Sequence, residues 1–160
     1  MKQILLLIAL ILVLSLTSCQ STVDIEKLEK ELLQLHHKTI EAHLNKDAGF
    51  FIEDISENYM QVHNGEFVYP QKEDIYNMFT HYLNSTDFLV YEDVSEPIVR
   101  VANDGSIGWT IVQVNVKGEQ KQENDSILTF DNTFAWITMY ENINGKWIRL
   151  GEVDNVKVSD

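Results

Sequence analysis

From Asp24 to Leu44, apolar residues return every three or four positions. Ile25, Leu28, Leu32, Leu35, Thr39 and Ala42 fall on one arc at about 100° per residue, widened by Leu33, Ile40 and Leu44. The spacing predicts a long amphipathic helix, with Asp24 or Thr22 at its cap and acidic residues in its first turns. Asn45-Lys46-Asp47 interrupts the pattern, and Asp47 is placed to cap a short second helix, AGFFIEDI. In ENYMQVHNGEFVYP two extended runs flank Asn64-Gly65, which predicts a hairpin. QKEDIYNMFTHYLN restores helical spacing through Ile75, Met78, Phe79 and Tyr82, a third helix. Strand patterns follow in FLVYEDVSEPIVRV, SIGWTIVQVNV, ILTFDNTFAWITMYE and KWIRLGEVDNVKV. They are punctuated at Asn103-Asp104-Gly105, at the polar tip KGEQKQENDS and at Asn144-Gly145. Helices followed by a meander of long strands predict an α+β domain, with three helices packed on one face of a curved antiparallel sheet.

The order and spacing of these segments resemble the nuclear-transport-factor-2-like, or SnoaL-like, superfamily of cone-shaped domains. EAHLNKDAGFFIEDISENYMQV is similar to its first helix, capped second helix and first strand. PQKEDIYNMF resembles its third helix, DGSIGWTIVQVNV a central strand and FAWITMYENINGKWIRLGEV the last hairpin. The resemblance covers essentially all of residues 24–158, assigns 24–160 to one domain and implies a pocket, open at one end, between the sheet and the long helix. It implies no cofactor, and it makes a homodimer through the sheet an expected assembly. Members include ketosteroid isomerase, scytalone dehydratase and polyketide cyclases beside many proteins without known activity, so function has to come from the site.

Candidate residues follow from periodicity. His36 and His43, seven apart, point within about 20° of each other from the middle of the apolar arc. They are either an acid/base or ligand-gripping pair or two satisfied core histidines, whereas His37 at the edge of the arc is expected in solvent. Tyr59, Gln61 and His63 share one face of their strand, which either lines the pocket or meets solvent. Phe130, Asn132, Phe134, Trp136, Thr138 and Tyr140 share another, and Ile107, Trp109, Ile111 and Gln113 a third. Aromatics interleaved with single polar groups suit an apolar ligand held by a few hydrogen bonds. Trp109 and Trp136 therefore join the candidate pocket with His36, His43, Tyr59, Gln61 and His63. Many SnoaL-like proteins carry histidines just after the last turn. Here that strand has Gly151 and Val153 near those positions, with Glu152 and Asp154 placed by alternation on the face of Ile148 and Leu150. No HExxH occurs, and His36 and His43 are not one turn apart, so no metal site is assigned.

The first residues read differently. After Lys2, an apolar run from Ile4 to Leu16 is shorter than the ~20 residues a spanning helix needs, and it ends in small residues, as a secretory signal does. Leu16-Thr17-Ser18-Cys19 resembles the bacterial lipoprotein box, which implies a signal peptide over 1–18, cleavage before Cys19 and acylation of that cysteine. The plainer alternative is an ordinary signal with an incidental cysteine. Residues 19–23 then form a lipidated cysteine and short tether, which locates the domain outside the cytoplasm on the cell membrane. Gln20, in place of a retention aspartate, points to the outer membrane in a host that has one. Cys19 is the only cysteine in the chain, so its acylation excludes disulfides and thiolate chemistry elsewhere. A net charge of −13, from 25 acidic and 12 basic residues, opposes nucleic acid and anionic lipid headgroups.

Three readings follow: an anchored domain binding a small, mostly apolar ligand; a cofactor-free isomerase, dehydratase or cyclase using His36, His43, Tyr59 or His63; or an interaction module working through an exposed sheet face.

Overall fold

The computed structural model describes residues 23–63 and 65–158. The expected leader, Cys19, most of the expected tether including Thr22, and Asn64 lie outside the described residues. Helix α1 spans Ile25–Leu44, and the Asp24 carboxylate accepts from the Lys27 N–H at 3.0 Å to cap it. It buries Leu32, His36, Ala42 and His43. Helix α2 spans Lys72–Ser85, opens on a capping box between Gln71 and Asp74, and buries Ile75 and Leu83.

The expected second helix is a single 3-10 turn, Gly49–Ile52, so the described residues hold two α-helices rather than three. Asp47 does hold the Phe50 N–H at 3.3 Å. Asp54 adopts a left-handed backbone (φ 51°), which leaves room for only one turn before the first strand.

The strands are β1 (Ile55–His63), β2 (Glu66–Val68), β3 (Thr86–Asp93), β4 (Ile98–Val101), β5 (Ile107–Lys121), β6 (Ile127–Ile143) and β7 (Lys146–Val158). Their order across the sheet is β2-β1-β7-β6-β5-β3, with β4 also paired to β5. The expected all-antiparallel sheet is instead mixed, because β1 and β7, nearly the first and last elements, run parallel. Alternation within a strand carries no record of the direction of a partner so distant in sequence.

Helix α1 lies along the concave face of the sheet. Contact is close where Gly108 meets Leu32, since a Cβ on Gly108 would fall 2.5 Å from Leu32 Cδ1. Two apolar clusters result. One gathers Ala42, Phe51, Ile55, Tyr59, Ile75 and Leu83, and the other Leu32, Val99, Val101, Tyr140 and Trp147.

Candidate functional site

Strand register decides which side chains meet. On β5 the concave face carries Thr110, Val112, Val114 and Val116, all buried. Opposite them on β6 stand Thr138, Trp136, Phe134 and Asn132. Strand β7 would continue the alternation, but Tyr140 pairs with Arg149 and Met139 with Gly151, so Leu150 is an extra residue. This bulge shifts the face of everything after it. Glu152 therefore pairs with Thr138 on the concave side and shares that side with Arg149, not with Ile148 as plain alternation expects. Gly151 makes the packing possible, since a Cβ there would lie 2.6 Å from the Met60 carbonyl oxygen of β1.

Strand β1 then adds its own polar face. Gln61 is in register with Glu152, so Tyr59, Gln61 and His63 face the same side as Arg149, Glu152 and Asp154. The Gln61 amide donates to the Tyr59 hydroxyl at 3.4 Å. His63 Nδ1 donates to both Asp154 oxygens at 2.8 Å. Thr138 Oγ1 donates to Glu152 Oε2 at 3.3 Å, and Arg149 is hydrogen-bonded to Tyr140. Burial raises the pKa of Glu152; Arg149 opposes that shift and Asp154 adds to it. Burial likewise pushes Tyr59 and Tyr140 up, with Glu152 adding to both. Together these residues make a polar floor, and partly exposed Trp136, Phe134 and Asn132 lie beside it on β6.

The helix histidines point inward as expected, but each is held by its own partners. His36 Nε2 donates to Asp93 Oδ1 at 2.7 Å, and its ring centroid lies 6.3 Å from that of Trp136. Burial lowers its pKa, against the pull of Asp93. His43 Nδ1 donates to the Thr39 carbonyl at 2.8 Å, which leaves Nε2 to accept from the Tyr91 hydroxyl at 3.3 Å. Its ring stacks on Tyr91, with centroids 4.4 Å apart, inside a cage completed by Phe51, Phe79, Tyr82 and Phe88. Burial lowers its pKa to about 4, so the ring is neutral at pH 7. His37 is exposed.

Of the seven candidates, Tyr59, Gln61, His63 and Trp136 share the floor and its flank, and His36 reaches Trp136. His43 sits apart in its cage. Trp109, opposite Met139, is on the outer face of the sheet. Arg149, Tyr91 and Asp93 were not among the candidates. The glycine inside β7 was the one signal of a bulge that could have turned Arg149 inward. Two open surface concavities of about 520 and 580 Å³ lie elsewhere, between α2 and the β5–β6 tip. They share His81, Lys121, Gln122 and Glu123, and no floor residue lines them.

A cone of curved sheet around a long helix is the nuclear transport factor 2-like fold. The solved structures that the chain is similar to carry it. An NTF2-like protein from Cytophaga hutchinsonii superposes with a TM-score of 0.61 at 19% identity, over 80% of this chain and 97% of that one. An NTF2-like protein of unknown function in nutrient uptake from Rhodospirillum rubrum gives 0.58 at 14% identity, over 78% and 96%. The association domain of C. elegans CaMKII gives 0.54 at 9% identity, over 81% and 96%. No protein-family profile matches the sequence, and no curated protein matches it.

Proposed function

We propose that the chain is a lipid-anchored protein of the cell envelope whose cone binds a small, mostly apolar ligand. One observation carries the binding reading. The concave face sets partly exposed aromatic surface, Trp136 and Phe134, directly beside the polar floor of Tyr59, Gln61, Thr138, Arg149 and Glu152. Apolar walls with a few convergent polar groups are what a small-molecule site needs. Native mass spectrometry of the full chain, purified from its own host and then gently denatured, is expected to release a bound small molecule. An empty chain that also ignores a panel of apolar probes would overturn the reading. The anchor is tested separately: Cys19→Ala is expected to abolish incorporation of radiolabelled palmitate, and full labelling of that variant would remove it.

A second reading, self-association, has its own observation. The outer sheet face carries exposed Ile98, Ile111 and Val153 around partly exposed Trp109, Ile137 and Met139, an apolar surface of the kind that marks an interface. One of the similar structures is itself an association domain. Ile111→Glu is expected to turn a dimer into a monomer in analytical ultracentrifugation, and a monomeric wild type would dismiss this reading. It is compatible with ligand binding on the other face.

A further inference from the structure

Arg149 sits in the floor with its charge favoured but its hydrogen bonding incomplete. Its Nε–H is sealed from solvent and has no hydrogen-bond partner, while the guanidinium is bonded to the neutral hydroxyl of Tyr140. No carboxylate among the described residues reaches salt-bridge distance of it. Glu152 shares its face but is engaged by Thr138, and Asp154 by His63. Arginine cannot shed its proton to escape the cost of burial; Tyr140, Glu152 and Tyr59 offset that cost and hold its pKa above the ordinary value, Glu152 from beyond ion-pair distance. The backbone holds it in place. Its N–H donates to the Asp54 carbonyl at 2.7 Å, and its strand pairs with Ile55 on one side and Tyr140 on the other.

We infer that Arg149 is the acceptor site for an anionic head group, and that the ligand is an amphiphilic carboxylate whose apolar body lies along Trp136 and Phe134. The inference rests on the proposed binding function and narrows its ligand class. A carboxylate supplies the direct ion pair that no described side chain makes and matches the planar guanidinium. The overall acidity of the chain works against anions at long range but is screened beyond about 8–10 Å, so the local cation dominates at contact.

The test uses the purified full chain and a panel of aryl- and alkyl-carboxylates, each paired with its primary amide, in titration calorimetry. Carboxylates are expected to bind about ten- to a hundred-fold more tightly than their amides. Arg149→Met should erase that preference while the amides still bind. Amides and carboxylates binding equally would overturn the inference and leave the proposed binding function standing. No binding by either would overturn both. Thermal unfolding gives a second readout. Arg149→Met alone leaves Glu152 without the cation that offsets its burial, so the comparison is made in the Glu152→Gln background, where a residue kept for a ligand leaves the empty protein no less stable. A marked fall in melting temperature would make Arg149 structural and sink the inference.

Discussion

His43 is buried and Arg149 half-buried with its Nε–H sealed, and the two are treated in opposite ways. Both nitrogens of His43 have partners, its ring is wrapped in aromatics, and its pKa of about 4 leaves it uncharged. Arg149 keeps its charge, has a bare Nε–H and meets Glu152 only beyond ion-pair distance. A buried polar group whose bonds are complete is a building element. One left short invites something from outside.

The largest expected effect breaks the first half of that comparison. His43→Ala removes a ring in contact with five aromatic side chains and is expected to cost about 3–5 kcal/mol in urea unfolding. A loss below about 1 kcal/mol would mean the cage closes without it. Next comes pH. The folded pKa of His43, about 4, lies below the unfolded value of 6.5, so the unfolded chain takes up the proton first. Its contribution is therefore intact above pH 6.5, drains away as pH falls towards 4, and changes no further below that. The difference amounts to about 3 kcal/mol. Subtracting the pH profile of His43→Phe from that of the wild type isolates it, and identical profiles would contradict the cage.

Asp93→Asn sharpens the comparison at an intermediate site. It replaces the carboxylate that accepts from buried His36 and is expected to cost about 1–2 kcal/mol, read in the same unfolding assay. The smallest effect belongs to Asp154→Asn. Its partner His63 is half exposed, so a change under about 0.5 kcal/mol is expected. A large loss there would mean that the pair is part of the framework and not of the floor's edge.

Much of this architecture was legible in the residues. The period of α1, its Asp24 cap, the inward aim of His36 and His43 and the strand runs all follow from local spacing, which local backbone geometry preserves. The three-helix reading failed at Asp54, where one left-handed residue cuts the second helix to a turn. The parallel β1–β7 pair was invisible because strand direction is settled by packing between segments about ninety residues apart. The floor was half legible. Tyr59, Gln61 and His63 were correctly grouped on one face of β1. The inserted Leu150 inverts alternation halfway along β7, which brought Arg149 to the concave side unannounced.

The β1–β7 pair has a kinetic consequence. Tyr59 and Gln61 come from the first strand, Arg149 and Glu152 from the last, so the floor closes only when the two ends of the domain meet. Contacts of such sequence separation form late and slowly. Nothing resembling the site exists on a chain still emerging during synthesis. A molecule that needs both halves of the floor therefore cannot act as a template for folding; it can only recognise a domain whose final strand has already arrived.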